Sequence, residues 1–318
     1  MTFSLDSYWV WDFWIADDGG TFHLFYLHAP KSLKDPELRH RNARIGHATS
    51  TDLIDWTDHG EVLGPGPAGS FDETATWTGS VIRGNDGIWR MFYTGASFPS
   101  ADSSVNTECI GIATSQDLST WTKRESFVLR ADIAHYEKLG ESPWPEEAWR
   151  DPWVFRDPAG HGWHMLITAR AKDSGVTNGG VVGHAWSADL DSWAVRPPVG
   201  PRANDFPHLE VLQIAEVGSQ SILLFCGPRT RVGFERDEVT TGIWAVPCPD
   251  FPRHVQVDDA ELIAAAPHYA GRIVHDRAGV PVLMTFIGSA GSEFLGTISD
   301  PTPLGAIATE SALLRPSI

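Results

Sequence analysis

Three carboxylates in the sequence have surroundings that favour acid–base or nucleophilic chemistry. Asp12 lies within the aromatic stretch Trp9–Trp14, Asp151 lies in Arg150-Asp151-Pro152, and Glu210 lies two residues after His208. Aromatic rings exclude water, and a carboxylate in a partly dry site can serve as a nucleophile or as a proton donor. Each acid alone also has a structural interpretation: Asp12 could cap a turn, Arg-Asp-Pro is a common turn tripeptide, and Glu210 could pair with a base.

Together the three acids suit the cleavage of a glycosidic bond. One acid protonates the departing oxygen, a second acts as nucleophile or activates water, and a third can bind sugar hydroxyls. Arg150 would help to keep Asp151 ionised. This chemistry requires a fold that brings Asp12, Asp151 and Glu210 to one place.

Repeated segments predict such a fold. A segment that begins Gly-x-Ala and ends Asp-Leu-x-x-Trp starts at Gly46, Gly111 and Gly183, and weaker copies start at Gly242 and Gly296. Each copy follows a short apolar strand, namely Phe22–Leu27, Trp89–Tyr93, Trp163–Thr168, Ile222–Cys226 and Val280–Ile287. Short strands and hairpin turns with a period of about 60 residues predict an all-β fold, a single five-bladed β-propeller over residues 1–318.

The innermost strand of each blade lines the central channel of a propeller, and three of these strands carry an acid. Asp12, Asp151 and Glu210 begin the first, third and fourth blades, while the second begins near Trp77 and the fifth at His268. We therefore expect the three carboxylates to converge at one end of the channel.

The Asp-Leu-x-x-Trp ending of each repeat predicts structure rather than catalysis. We expect the Asp to bond the turn, and the Leu and Trp to pack between blades; the tryptophans concerned are Trp56, Trp121 and Trp193. Residues 132–148 form a long insert that contains several Glu and is of the kind that carries specificity, and Asp132–Leu139 could form a short helix. The ring would be closed by residues 304–309 or by the first few residues.

Composition excludes several classes of partner. The 24 Lys and Arg against 41 Asp and Glu give a net charge of −17, which opposes binding to nucleic acid or to anionic membranes. No run of about 20 apolar residues could span a membrane. No signal peptide begins the sequence, so a cytoplasmic location is expected. The three cysteines and the His161-Gly162-Trp163-His164 turn lack the spacing of a metal site, and we expect no metal. Nothing in the sequence points to an oligomeric state.

At these motifs the chain resembles the five-bladed propeller glycosidases of glycoside hydrolase families 32 and 68 and, more distantly, family 43. Trp11-Asp12-x-Trp14 is similar to the family 68 nucleophile motif, and Arg150-Asp151-Pro152 matches the Arg-Asp-Pro motif of both families. Three further segments resemble family 32, namely Phe71-Asp72-Glu73 with Trp77-Thr78-Gly79-Ser80, Leu209-Glu210-Val211, and Tyr269-Ala270.

The resemblance implies a retaining mechanism with a covalent fructosyl-enzyme and no cofactor. It implies that Asp12 is the nucleophile, Glu210 the acid/base and Asp151 the stabiliser of the transition state. We expect the substrate, a small oligosaccharide or other furanoside, to contact the residues around these acids: Trp11, Trp14, Trp77, Thr78, Arg150, His208 and Tyr269. We also expect burial beside Asp12 and Asp151 to raise the pKa of Glu210.

Departures from family 32 concern the sugar pocket. The Asn-Asp-Pro-Asn motif is absent around Asp12, Leu27 replaces a Gln, Ile45 replaces a Trp, and Val211 replaces a Cys. The C-terminal β-sandwich is also missing. Sucrose is therefore expected to be a poor substrate compared with another small furanoside. Transfructosylation, arabinofuranosidase activity, a sugar-binding propeller without catalysis and a scaffold propeller remain as alternatives, although the three acids argue against the last two.

Overall fold

The computed structural model describes residues 2–100, 102–231, 238–252, 255–291 and 293–307. Within these residues the strands form five antiparallel four-stranded sheets. The first strands of the sheets contact one another in sequence, and the first strand of the fifth sheet contacts that of the first, which closes a ring. The predicted five-bladed β-propeller is thus confirmed, and among the described residues no β-sandwich follows the fifth blade.

Blades 1 to 4 are meanders in which strands that are consecutive in sequence pair with each other, whereas in blade 5 the last strand pairs with the second strand instead of the third. Blade 1 contains β1 (Tyr8–Asp17), β2 (Phe22–Pro30), β3 (Arg44–Ser50) and β4 (Thr57–Leu63). Blade 2 contains β5 (Ala75–Arg83), β6 (Trp89–Ser97), β7 (Thr107–Ser115) and β8 (Thr122–Lys123). Blade 3 contains β9 (Trp149–Arg156), β10 (Trp163–Arg170), β11 (Gly180–Ser187) and β12 (Trp193–Val199). Blade 4 contains β13 (Glu210–Val217), β14 (Gln220–Arg231), β15 (Glu238–Pro247) and β16 (Glu261–Ala265). Blade 5 contains β17 (His268–His275), β18 (Pro281–Ala290), β19 (Glu293–Ile298) and β20 (Thr302–Pro303).

Among the described residues, helical structure is confined to short segments between these strands and directly after β20. Three are 3₁₀-helices at Lys31–Leu33, Pro36–Asn42 and Val257–Asp259, and one is an α-helical turn, α1, at Leu304–Ile307. No helix in the described part of the chain has the length and apolar character needed to cross a membrane.

The repeated Asp-Leu-x-x-Trp segment forms the same turn in blades 1, 2 and 3. In blade 1, Asp52 Oδ1 accepts hydrogen bonds from two backbone N–H groups at 2.9 Å, and the Trp56 indole donates to the Leu53 carbonyl at 3.1 Å. Leu53 has a φ of 68°, and the equivalent Leu118 and Leu190 are also left-handed. Since these are strained positions for a branched side chain, the local hydrogen bonds must hold them.

The repeat tryptophans pack between blades, as predicted. Trp121 of blade 2 meets Phe25 of blade 1 edge to face at 5.5 Å, and Trp193 of blade 3 meets Phe92 of blade 2 at 5.3 Å. Trp56 contacts Phe3 at 6.4 Å. Neighbouring blades therefore bury each other's faces, which a single sheet cannot do alone.

The first residues of the chain help to close the ring, which is one of the two predicted alternatives. Phe3 forms an antiparallel bridge with Ile298 at the edge of blade 5. The other alternative, residues 304–309, lies partly outside the described residues, and its described part forms α1.

The helix predicted at Asp132–Leu139 is absent, and this prediction was wrong. The segment forms turns and is fixed at Tyr136, which bridges to Ala171 and donates its hydroxyl hydrogen to the Arg196 carbonyl at 2.6 Å. Burial of this one aromatic side chain outweighs the weak helical preference of an eight-residue segment.

A β-bulge interrupts every inner strand at an equivalent position. The pairing with the second strand shifts at Asp12 in β1, Thr78 in β5, Asp151-Pro152 in β9, Val211-Leu212 in β13 and Ala270-Gly271 in β17. Asp151, Val211 and Ala270 have φ values of 57°, 55° and 45°. Because a bulge changes the direction of a side chain, these irregular backbone positions determine how the side chains of the three acids are oriented.

Candidate active site

One cavity of about 630 Å³ lies at the end of the channel where the bulges occur. Asp12, Asp151 and Glu210 all line it. They come from β1, β9 and β13, which belong to three different blades, so residues far apart in sequence meet here as predicted.

Asp12 is half-buried and packs against blade 2. Its Oδ2 accepts a hydrogen bond of 2.6 Å from Thr78 Oγ1, and its Oδ1 receives none from the described residues. Burial raises the pKa of Asp12 to about 7, and the neighbouring charge of Asp151 adds to this. Near neutral pH the carboxyl of the free protein is thus partly protonated.

Asp151 is fixed by the strands on both sides of it. Its Oδ2 accepts hydrogen bonds from Thr168 Oγ1 at 2.9 Å and from the Val211 backbone at 3.2 Å, and its own N–H donates to Thr94 Oγ1 at 2.9 Å. Burial raises its pKa, and Arg150 at 3.9 Å opposes that shift. These contacts orient the carboxylate without direct neutralisation by a short ion pair.

Glu210 is held by three basic or donor side chains. Arg150 donates from Nη2 and Nε to Glu210 Oε1 at 2.8 and 3.2 Å, and Tyr269 donates its hydroxyl hydrogen to Oε2. His208 Nε2 lies 3.4 Å from Oε2. The carboxylate therefore has a fixed direction within the cavity.

The predicted raised pKa of Glu210 was wrong for the free protein. Burial does raise it, but the neighbouring His208 and Arg150 outweigh burial and hold the pKa of Glu210 well below its usual range. The sequence could not show this, because His208 and Tyr269 reach the carboxylate only through the strand geometry. In the free protein Asp12, rather than Glu210, is the acid that carries a proton near neutral pH.

Arg150 is shared among several acids. Besides Glu210 it binds Glu108 through Nη1 at 3.0 and 3.1 Å and Glu146 through Nη2 at 3.0 Å. Glu108 has no exposed surface, and burial raises its pKa to about 8 against the effect of Arg150. Sequence analysis missed both glutamates, although Glu146 lies in the acidic insert that it identified.

Six of the seven predicted substrate contacts line the cavity, together with the three acids: Trp11, Trp77, Thr78, Arg150, His208 and Tyr269. Trp14 does not line it, so that prediction was wrong. Trp14 has no exposed surface and stacks on Phe25 in the core between blades 1 and 2. The bulge at Asp12 places the side chains on either side of it in different environments.

The Phe71-Asp72-Glu73 segment also does not reach the cavity. Asp72 is buried, accepts a hydrogen bond from Tyr93 at 2.9 Å and pairs with Lys123 of β8. Phe71 packs in the core beside it. In this chain the segment that resembles a sugar-binding motif supports blade 2.

The rim contains residues beyond the predicted substrate contacts. The 3₁₀-helix Pro36–Asn42 contributes Arg39, His40 and Arg41, and blade 5 contributes Phe286. Burial lowers the pKa of His40 to about 4, so this ring is neutral at physiological pH. The basic run at Arg39-His40-Arg41 was the available signal, but its position over the cavity depends on the loop.

The departures from family 32 differ in their effect. Leu27 lines the cavity and offers no hydrogen bond, whereas Ile45 is buried in the core and does not line it. Among the residues described, no cluster of three or more His, Cys, Asp or Glu side chains has the arrangement of a metal site.

Comparisons with solved structures show the same fold at low sequence identity. The chain superimposes on an inulosucrase from Halalkalicoccus jeotgali bound to kestose with a TM-score of 0.75, at 19% identity over 94% of this chain and 86% of that one. A Bombyx mori β-fructofuranosidase gives a TM-score of 0.68, at 20% identity over 94% of this chain and 61% of that one.

Sequence relatives match shorter regions. A raffinose invertase of Escherichia coli is 30% identical over 160 residues, which is 49% of this chain and 29% of the relative. A sucrose-6-phosphate hydrolase of the same organism is 30% identical over 173 residues, covering 52% of this chain and 31% of the relative. The chain thus spans about a third of the length of these relatives.

A family model covers far more of the chain. The model for the glycosyl hydrolases family 32 N-terminal domain matches residues 14–294, which include most of the five blades and two of the three acids. The third acid, Asp12, precedes the match by two residues. The chain belongs to glycosyl hydrolases family 32.

Proposed function

We propose that this protein is a glycosidase that hydrolyses a small fructofuranoside with retention of configuration. The observation that carries the proposal is the convergence of Asp12, Asp151 and Glu210 in one cavity, each at or beside a bulge of an inner strand. A sugar-binding propeller would need hydroxyl partners but not a set of three converging acids.

In the proposed first step, Asp12 Oδ1 attacks the anomeric carbon and the glycosidic C–O bond breaks. Glu210 donates its proton to the departing oxygen, and Asp151 binds sugar hydroxyls as positive charge develops on the ring. The hydrogen bond from Thr78 to Oδ2 leaves Oδ1 of Asp12 free for this attack. In the second step Glu210 removes a proton from water, which attacks the same carbon and releases Asp12. A sugar hydroxyl in place of water would give transfer instead.

The pKa values require that Asp12 and Glu210 be treated as a pair that shares one proton. Burial favours the proton on Asp12, and His208 and Arg150 favour an ionised Glu210, whereas the first step needs the reverse. The reactive form is then the minor of two tautomers, in rapid exchange with the major one. The rate is expected to fall as pH rises through about 7, where the shared proton is lost.

A specific observation favours a phosphorylated leaving group as a second candidate substrate. The side chain of Arg39 is only 12% exposed, and its acidic partner among the described residues, Glu37, is 76% exposed. The Nε atom of Arg39 is buried without a partner among the described residues. A cation of this kind at the cavity rim suits a phosphate, and two relatives are named sucrose-6-phosphate hydrolase.

The function is tested with a panel of fructo-oligosaccharides, sucrose, sucrose 6-phosphate and nitrophenyl furanosides. We expect hydrolysis of at least one fructofuranoside, a retained anomer in methanol trapping, and poor turnover of unphosphorylated sucrose because of Leu27. A kcat/KM for sucrose above about 10⁴ M⁻¹s⁻¹ would contradict the pocket argument. If no furanoside is cleaved and sugars only bind, the enzyme hypothesis fails.

The phosphate candidate has its own comparison. Arg39→Met should lower kcat/KM for sucrose 6-phosphate and leave that for sucrose nearly unchanged. An equal effect on both substrates would show that Arg39 only shapes the rim.

A further inference from the structure

A single buried arginine contacts the backbone beside two of the acids. Arg272 of β17 is 2% exposed and extends from blade 5 across the channel. Its Nη1 donates to the carbonyls of Val211 and Leu212 at 2.8 and 3.0 Å, and its Nε donates to the Phe13 carbonyl at 3.2 Å. Its Cζ lies 5.0 Å from the centre of the Trp153 ring.

These contacts coincide with the bulges that direct the acids. Val211 and Leu212 are the bulged residues directly after Glu210, and Phe13 directly follows Asp12. Trp153 lies two residues after Asp151 on the same inner strand. One guanidinium thus connects blade 5 with blades 4, 1 and 3 at the level of the active site. Because Val211 is held at a φ of 55°, its carbonyl contact with Arg272 helps to keep a conformation that a β-branched residue resists.

Nε and Nη1 of Arg272 donate to backbone carbonyls, and its buried Nη2 has no hydrogen-bond partner among the described residues. Burial lowers its pKa to about 10, so the side chain stays protonated at neutral pH. The positive charge of Arg272 interacts electrostatically with the carboxylates of Asp12 and Asp151. Arg272 also lowers the pKa of Asp12, opposing burial and the repulsion from Asp151 and Glu210.

Two further titratable groups that face this region, Cys226 and Tyr269, stay neutral near pH 7. Burial raises the pKa of the Cys226 thiol, on β14, to about 12. Burial also raises the pKa of Tyr269, on the same strand as Arg272, well above its usual value. Arg150 is the other buried cation near the acids, but it is directly occupied by Glu108, Glu146 and Glu210.

We propose that Arg272 is a positioning residue of the active site, which fixes the bulges that direct Glu210 and Asp12 and places a buried positive charge at the level of the acids. This inference rests on the proposed roles of Asp12 and Glu210. It assigns two separable properties to one side chain, namely hydrogen bonding to three carbonyls and a buried charge.

Two substitutions separate these properties. Arg272→Met removes both the charge and the donors at similar length, whereas Arg272→Lys keeps the charge but cannot reproduce the planar set of donors. Arg90→Lys is the matched control, because Arg90 is also buried but pairs with Asp86 and Asp191 outside the cavity.

The pKa of Asp12 is measured by NMR of protein labelled with ¹³C at the aspartate carboxyls, with Asp12→Asn to assign the signal. Arg272→Met should raise this pKa by about one unit or more, while Arg272→Lys and Arg90→Lys should leave it within a few tenths. An unchanged pKa in Arg272→Met would overturn the charge role. If Arg272→Met does not fold, Arg272→Lys provides the test. Because lysine keeps the positive charge, a raised pKa of Asp12 in Arg272→Lys would also overturn the charge role.

Kinetics test the positioning role. Arg272→Lys should lower kcat on fructosides at least tenfold with little change in the alkaline limb of the pH profile, whereas Arg90→Lys keeps wild-type kcat. Wild-type kcat in Arg272→Lys would overturn this role. If the unmodified protein cleaves no furanoside, the proposed function fails, but the NMR titration still decides whether Arg272 controls Asp12.

Discussion

Aspartates occur in two contrasting regions of this propeller, the turns of the repeats and the candidate catalytic cavity. In the turns, Asp52, Asp117 and Asp189 are largely exposed and accept hydrogen bonds from backbone N–H groups two and three residues ahead. Those backbone bonds lower their pKa values. In the cavity, Asp151 is buried and Asp12 is half-buried, and both have raised pKa values.

The two regions differ in where the hydrogen-bond partners of the carboxylate come from. A turn aspartate is stabilised by its own segment, so its ionised form strengthens the fold. A cavity aspartate takes its partners from other blades, such as Thr78 for Asp12, and those partners do not fully replace water. We therefore expect substitutions in the two regions to have opposite consequences for activity and stability.

The largest effect is expected for Asp12→Asn. As the proposed nucleophile, Asp12 is needed on every substrate, so kcat should fall about 10⁴-fold or more, even with activated leaving groups. Release of an activated leaving group at a near wild-type rate would exclude Asp12 as nucleophile and leave Asp151 as the candidate.

The same variant should be more stable than the wild type at alkaline pH. The folded-state pKa of about 7 exceeds the unfolded value of 3.8, so Asp12 opposes folding increasingly as pH rises from 3.8 to about 7. The full penalty is roughly 4 kcal/mol. Urea unfolding at pH 5 and pH 8 would test this, and a variant destabilised at both pH values would contradict it.

The second largest effect is expected for Glu210→Gln. This variant should lose about 10³-fold in kcat/KM on fructosides with poor leaving groups and far less on activated nitrophenyl substrates, because only the former need the proton. Equal losses on the two classes would count against the acid role. A matched control is Glu37→Gln, at an exposed position of the same cavity rim.

Paired histidines extend the comparison to stability at acid pH. His23 with His47 in blade 1 and His164 with His184 in blade 3 are equivalent, with ring nitrogens 3.0 and 2.9 Å apart. Burial lowers the pKa of His184 to about 4, below the unfolded value of 6.5. The stabilising contribution of His184 is therefore complete above pH 6.5 and is lost as pH falls towards 4. The free energy of unfolding should fall by roughly 3 kcal/mol over this range.

We expect the free energy of unfolding of the wild type to fall over this range, and that of His184→Gln to fall less. Urea titrations between pH 4 and pH 8 measure the difference, with His275→Gln as an exposed control. Identical slopes in the wild type and His184→Gln would show that this histidine does not contribute.

The smallest effect is expected in the turns. Asp117→Ala should lower the free energy of unfolding by about 1 kcal/mol and leave kcat unchanged, because its partners are local backbone groups far from the cavity. Asp117→Asn keeps an acceptor and should lose less. A clear loss of kcat in either variant would remove the distinction between the two regions.

Much of the architecture followed from local sequence. The short apolar strands, the repeat turns and the interblade positions of Trp56, Trp121 and Trp193 were predictable, because period and turn chemistry act over a few residues. The repeats also placed Asp12, Asp151 and Glu210 on inner strands, which was enough to expect their convergence. The prediction failed at Asp132–Leu139, where a distant contact of Tyr136 decides the conformation.

The tertiary structure alone decided what surrounds each acid. The sequence could not show that Trp14 lies in the core, that Arg150 is shared with Glu108, or that His208 and Tyr269 meet at Glu210. It could not show that Arg272 crosses the channel to the bulges beside two acids. These properties depend on contacts between blades about 60 residues or more apart. Side-chain type and spacing specify which groups are present, whereas the pKa of a buried group is set by the charges and dipoles that the closed ring brings within a few ångströms.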